Sequence, residues 1–113
     1  MGSTGVRLEG FKEFQVKLKD SAKLDDVRRA VQYRGSRLQQ IAHDLAPNRT
    51  GQLQRSITHE ERDGGFTAEI APHTNYAAYV EYGTRYMAAR PYIRPAFMQE
   101  SQGLKEDLKR LMK

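Results

Sequence analysis

The sequence predicts an α+β fold in which a small antiparallel sheet packs against a long central helix and a C-terminal helix, with a long exposed loop. Apolar residues recur every three or four positions before Pro47 and again after Pro95, as is typical of amphipathic helices. Between these regions, two stretches that suit strands flank Asp63-Gly64-Gly65, a composition that favours a tight reversal.

The composition indicates one soluble domain spanning residues 1–113. Only 38% of the residues are hydrophobic and 29% are charged, so much of each amphipathic element must face water or a partner. The chain has no cysteine, which excludes disulfides, thiol nucleophiles and thiolate metal sites. No apolar run is long enough for a membrane span and the first residues lack a signal-peptide pattern, so we expect cytoplasmic synthesis and no membrane contact.

The N-terminal part is predicted to begin with an edge strand, because Val6-Arg7-Leu8-Glu9 alternates apolar and polar residues. Phe11, Phe14 and Leu18 have the spacing of a short helix. Ser21 and Asp25 are candidate N-caps of the following long helix. The apolar stripe of this helix comprises Val27, Ala30, Val31, Leu38, Ile41, Ala42 and Leu45, with a gap at Arg34 and Gly35. We expect Ala46-Pro47 to end the helix, since proline cannot continue its hydrogen bonds.

A hairpin is predicted next. Its strands are Ile57 to Arg62 and Phe66 to Ala71, and the glycines between them supply the positive φ angles of a reversal. In the second strand, Phe66, Ala68 and Ile70 are expected to face the core.

After the hairpin, Asn75 is predicted to cap a short helical turn that Gly83 ends. Thr84 to Pro91 shows no period and is expected to be a long exposed loop, and Tyr92-Ile93-Arg94 is expected to be extended. The last helix is predicted from about Pro95. Its apolar face comprises Phe97, Ser101, Leu104, Leu108 and Leu111.

Three segments in order resemble the tail-component or neck-protein family of long-tailed bacteriophages and prophages. They are Ala46-Pro47 with Thr50 to Ile57, then Tyr76 to Thr84, then Met87 to Ala96. Each is weak alone, but their joint order and spacing are specific. The matching motif positions are Pro47, Gly51, Leu53, Ile57, Tyr76, Tyr79, Val80, Glu81, Gly83, Pro91 and Pro95.

The resemblance implies a non-enzymatic virion or assembly protein at the head–tail junction, made in the host bacterial cytoplasm and carried in the virion neck or tail. It implies a ring, with six or twelve copies expected, that docks connector and tail-tube or tail-terminator proteins and meets DNA only as passing cargo. No cofactor is expected. The expected interface residues are Arg85, Tyr86, Met87, Arg90, Tyr92 and Arg94, because arginine and tyrosine are enriched at interface hot spots. Tyr76 to Gly83 is expected to be a rigid base for a mobile Thr84 to Pro91.

Several residues have a simpler interpretation than catalysis. Tyr76, Tyr79 and Val80 have the spacing of a packing stripe. Glu81 could cap a helix or act as an acid, but an ion pair with Arg85 or Arg90 is favoured.

The three histidines, His43, His59 and His73, have no carboxylate at metal-ligand spacing, so isolated roles are favoured. Ser56 lacks a nucleophile elbow.

Two other function classes remain open at this point. The net charge of +5 and the tyrosines suit a basic nucleic-acid-binding module, although the basic residues are mostly interleaved with acids. A toxin-type ribonuclease has a similar size and charge and would depend on the histidines and Arg85.

Overall fold

The computed structural model describes residues 5–10, 21–47 and 51–111. The predicted helix at Phe11, Phe14 and Leu18 lies outside these residues. In chain order the elements are β1 (Val6–Glu9), α1 (Ser21–Leu45), α2 (Gln52–Ser56), β2 (Thr58–Arg62), β3 (Thr67–Ala71), α3 (Ala77–Tyr82) and α4 (Ile93–Leu111).

The three strands form one antiparallel sheet in the order β1-β3-β2. Val6 pairs with Ile70 and Leu8 with Ala68, so these side chains share one face of the sheet. That face lies under α1 and α4, and the buried core forms between them. The predicted α+β class and the predicted edge strand are therefore confirmed.

The reversal between β2 and β3 is a short 3-10 turn, Asp63–Gly65, as the glycines predict. Gly64 and Gly65 have φ angles of 68° and 96°, which glycine adopts without steric cost. The Thr67 hydroxyl donates to the Asp63 carboxylate at 2.7 Å, and the Arg28 side chain donates to the Gly64 carbonyl at 3.0 Å. The turn is thus fixed to its own strand and to α1.

Helix α1 begins at Ser21, so Asp25, one of the two candidate N-caps, lies inside the helix, and α1 ends before Pro47 as expected. Val27, Val31, Leu38 and Ala42 of the predicted stripe are buried. Leu45 is not, with 49% of its surface exposed, because the helix ends there and Ala46 takes the buried place beside it.

The predicted gap in the stripe is a close contact rather than an opening. Gly35 is buried, and a Cβ atom at this position would lie 2.7 Å from the Ala68 Cβ and 2.8 Å from the His59 Nε2. Hydrogen would be the only side chain that fits without a shift, so Gly35 lets α1 approach the sheet at a cost of about 1 kcal/mol in helix propensity.

Helix α4 begins at Ile93 rather than at Pro95, so Ile93 and Arg94 are helical instead of extended. The side chains of Tyr92 and Ile93 are buried. Its fully buried face is Ile93, Ala96, Glu100, Leu104 and Leu108, whereas Phe97, Ser101 and Leu111 are half-buried. Pro91 and Pro95 favour an extended segment and therefore a later helix start. The apolar face predicted from that start does not include Glu100.

Glu100 is 1% exposed and belongs to an ion cluster between α1 and α4. Its carboxylate accepts hydrogen bonds from Arg37 at 2.9 Å and Arg34 at 3.3 Å, and Arg34 also donates to Asp107 at 2.7 Å. The hydrogen bond to Asp107 raises the pKa of Arg34 further above its ordinary value. Because one buried carboxylate has two cationic partners, the desolvation cost of the charge is offset.

Two local predictions after α1 are wrong. Ile57, expected to start the first strand of the hairpin, is instead the C-cap of the short helix α2. Asn75 is exposed and does not cap α3; Tyr76 holds the N-cap position, without a side-chain hydrogen bond.

Candidate functional site

The three segments that carry the resemblance meet in one groove of about 510 Å³. Pro47 and α2 form one side, α3 forms the next, and residues 84–91, which we call the arm, form the third. The lining residues are Pro47, Gln52, Leu53, Tyr76, Val80, Met87, Ala88 and Arg90. The sequence segments therefore converge in space, although they are separated along the chain.

Helix α2 fastens the groove to the end of α1. Its N-cap is Gly51, whose φ of 74° lies in the left-handed region, and the helix buries Leu53. The Gln54 side-chain amide donates to the His43 carbonyl at 3.0 Å. The Ser56 hydroxyl donates to the Leu53 carbonyl and accepts the His73 backbone N–H, so it serves the backbone and not a nucleophilic role.

Glu81 holds the two ends of the arm together. Its carboxylate is 5% exposed and accepts the backbone N–H groups of Tyr92 at 3.2 Å, Ile93 at 2.9 Å and Arg94 at 3.3 Å. These are donors that a helix start leaves unpaired, so Glu81 caps α4 from α3. The favoured ion pair with Arg85 or Arg90 is thus wrong, and the capping alternative is correct.

Gly83 makes the bend from α3 into the arm. It is the C-cap of α3, as predicted, but its ψ of 175° lies outside the left-handed helical region expected. Its φ is 79°, and a Cβ atom here would lie 2.8 Å from the Ala89 nitrogen. Glycine is therefore required both for the conformation and for the approach of the returning chain.

The arm is exposed throughout, as predicted, but it is a folded hairpin-like turn rather than an irregular loop. Thr84 and Met87 form an isolated antiparallel bridge, with the Thr84 N–H donating to the Met87 carbonyl at 2.8 Å. The Arg90 N–H donates to the Val80 carbonyl at 2.8 Å. These bonds leave the tip of the turn, at Arg85 and Tyr86, facing solvent.

Tyr92, which was expected to be an interface residue, is not at the surface. Its side chain is fully buried, because the cap from Glu81 pulls Tyr92 to the foot of α4. Burial raises the pKa of its hydroxyl, which has no hydrogen-bond partner among the described residues. As folded here, Tyr92 is a core residue.

The other expected interface side chains lie at the surface. Tyr86 is 87% exposed and Met87 is 45% exposed, and the Arg85 guanidinium lies 5.2 Å from the Tyr86 ring centroid. Tyr79, expected to pack inward, is also 56% exposed, whereas Tyr76 and Val80 do pack against the core. The buried face of α3 is centred on Ala77 and Glu81, with Tyr76 and Val80 beside them, and Tyr79 lies off this face.

The three histidines lie apart. His59 donates to or accepts from the Gln32 side chain at 2.7 Å, and burial lowers its pKa. His73 contacts the Thr58 hydroxyl at 2.8 Å, and His43 is exposed beside Asp44. Within the described ranges no group of histidine and acidic side chains is arranged to hold a metal. None of the described helices combines the length and apolarity needed to cross a bilayer.

Sequence reasoning missed the ion cluster of Arg34, Arg37, Glu100 and Asp107. A signal was present: Arg34 interrupts the apolar stripe of α1, and Glu100 falls between Ala96 and Leu104 once the last helix is started at Ile93. Two polar interruptions on facing helices indicate a buried pair.

The chain matches a known protein family. The model of the family described as "Bacteriophage HK97-gp10, putative tail-component" matches residues 9–83, which is more than half of the chain. The matched region contains α1, the hairpin and α3, and it ends at the residue before the arm. No curated protein and no solved structure shows significant similarity to the chain.

Proposed function

Because the chain belongs to the HK97-gp10-like family of bacteriophage tail components and so has a structural role in the phage tail or head–tail region, we propose that it assembles into a ring at the head–tail junction. The ring docks the neighbouring connector and tail-tube or tail-terminator proteins. Assembly takes place in the host cytoplasm, and DNA meets the ring only in passage. The protein has no catalytic part in this role.

The observation that carries the proposal is the concentration of exposed large hydrophobic side chains on α3 and the arm. Of the large hydrophobic residues that are exposed in the described chain, four lie between Tyr79 and Met87: Tyr79, Tyr82, Tyr86 and Met87. A soluble protein gains nothing from such a cluster, whereas protein–protein interfaces are enriched in tyrosine, methionine and arginine.

A ring also requires two different faces that bind head to tail. The arm supplies one compact face, because the bend at Gly83 and the cap from Glu81 fix both of its ends. The proposed contact residues are Arg85, Tyr86, Met87, Arg90 and Arg94, with the groove behind them.

The experiment compares Tyr86→Ala with Tyr33→Ala. Tyr86 is 87% exposed and Tyr33 is 56% exposed, and each lies near the guanidinium of a neighbouring arginine, at 5.2 Å and 5.4 Å, so the control also removes an exposed tyrosine ring beside an arginine. We expect Tyr86→Ala to weaken self-association or incorporation into tails about 30-fold, the effect of a hot-spot tyrosine worth about 2 kcal/mol. Equal behaviour of the two variants in sedimentation velocity and in tail assembly would refute the role of the arm.

A further inference from the structure

The described arginines divide into two groups according to their partners. Most have a carboxylate within ion-pair distance: Arg7, Arg28, Arg29, Arg34, Arg37, Arg62 and Arg110. Arg55, Arg85, Arg90 and Arg94 have no carboxylate partner in the part of the chain that the structure describes, and all four are exposed. Unlike the first group, these four cations are available to another molecule.

The second group lies at one end of the fold. Arg55 is on α2, Arg85 and Arg90 are on the arm, and Arg94 is in the first turn of α4, so all four are on elements that border or adjoin the groove. Between Tyr82 and Gln99 the sequence contains three arginines and no acidic residue. We call this surface the arginine end.

Carboxylates without cationic partners occur at the opposite end of the sheet. Glu61 on β2 is exposed and has no ion pair among the described residues, and the Asp63 carboxylate accepts only the Thr67 hydroxyl. Strand β2 starts beside α2 and runs away from the groove to Asp63, over roughly 17 Å. Because β2 is an edge strand, Glu61 and Asp63 lie on a surface that no described strand covers.

We propose that the arginine end of one copy binds the β2 edge of the next copy, with Arg85 and Arg90 facing Glu61 and Asp63. The inference rests on the proposed self-assembly and names the surface that receives the arm. Charge complementarity within a single chain supports a second copy as the occupant, since a head-to-tail contact uses both ends of the molecule. A nucleic acid would use the arginines but leave the carboxylates without a role.

Two charge-reversed variants test the pairing. One carries Arg85→Glu and Arg90→Glu. The other carries Glu61→Arg and Asp63→Asn. Asparagine is chosen because Asp63 has a φ of 55°, which asparagine tolerates, and because its side-chain oxygen can still accept the Thr67 hydroxyl. We expect each variant alone to self-associate at least about tenfold more weakly than the wild type in sedimentation velocity at low salt.

An equimolar mixture of the two variants should restore association, because an alternating assembly again places opposite charges across each contact. Matched controls with the same charge changes, Arg29→Glu with Arg110→Glu and Glu106→Arg with Asp44→Asn, should associate as the wild type does. These control positions are exposed, and none of them lies on the arm, on β2 or in the turn that follows β2.

The outcomes separate the two proposals. If Tyr86→Ala weakens association but the charge reversals do not, or if the mixture stays dissociated, the proposed partner surface is wrong while the arm keeps its role. If the arginine variant instead loses binding to a 20-base-pair duplex and the mixture restores nothing, the arginine end binds phosphate and the inference fails. A wild type that stays monomeric up to its solubility limit contradicts both proposals.

Discussion

The cap that Glu81 places on α4 gives the sharpest stability prediction. In Glu81→Gln the side chain keeps its size and one acceptor oxygen, which can still accept the Tyr92 and Ile93 N–H groups. The amide NH₂ then faces the Arg94 N–H, which the second carboxylate oxygen accepts at 3.3 Å in the native protein. One backbone donor thus loses its acceptor, and a negative charge is removed from a helix N-terminus.

The expected cost follows from these two losses. Leaving a donor unpaired at a buried position costs about 1–3 kcal/mol, and the lower half of that range applies here because the Arg94 N–H is only partly buried. The helix dipole adds about 0.3–1 kcal/mol. We therefore expect the free energy of unfolding to fall by about 1–3 kcal/mol, which for a urea dependence of about 1–3 kcal/mol per molar lowers the unfolding midpoint by about 0.3–3 M.

The assay is urea unfolding followed by far-UV circular dichroism, because the chain has no tryptophan. Glu106→Gln is the matched control: it removes the same charge from an exposed position on α4 and should change stability by less than about 0.5 kcal/mol. Equal midpoints for the two variants would refute the capping argument. Hydrogen exchange gives a second readout, since the Arg94 amide, which loses its acceptor, should exchange faster only in Glu81→Gln.

Three further outcomes follow from local geometry. Gly35→Ala should lower stability by about 1–2 kcal/mol in the same assay despite its better helix propensity, because the new Cβ collides with Ala68, and a stabilised variant would contradict the close contact. Tyr92→Phe should be neutral or stabilising by up to about 1 kcal/mol, since the buried hydroxyl has no partner in the described structure; a loss of stability would indicate a bound water there. Burial lowers the pKa of His59, so the unfolded chain binds the proton first and stability should decrease as the pH falls below about 6.5. His59→Gln should reduce that slope, and an unchanged slope would contradict the assignment.

The sequence predicted the elements that depend on local pattern. The stripe from Val27 to Ala42, the glycines of the hairpin and the alternation at Ala68 and Ile70 each describe a face that packs on one neighbour, and their periodicity is visible without the fold. Pro47 was equally informative, because its effect on a helix is local.

Features that depend on contacts between distant segments were not predictable in the same way. Helix α4 starts two residues before Pro95 because a carboxylate eleven residues before Tyr92 along the chain caps it. Gly35 appeared as a weakness of α1 until the sheet supplied Ala68 as its neighbour. The burial of Glu100 needs two arginines from another helix, and a single helical pattern cannot show them.

In the candidate site, too, some features could be predicted from the local sequence, whereas others depend on contacts between distant segments. The three resembling segments meet in one groove, although the family match ends before the third of them. The side chains of Arg85, Tyr86, Met87, Arg90 and Arg94 lie at the surface, and their part in an interface stays a prediction. Tyr92 was misplaced because an aromatic residue between two prolines looks exposed in sequence, whereas the cap draws it into the core.

The most direct test of the assembly role is hydrogen exchange at the arm, measured for dilute monomer and for the assembled ring or purified tails. In the monomer, the Arg85, Ala88 and Ala89 amides have no acceptor among the described residues, whereas the Arg90 amide is bonded to Val80. We predict that the first three exchange rapidly in the monomer and become protected in the assembly. Protection of these amides already in the monomer, or unchanged rapid exchange in assembled particles, would contradict the account.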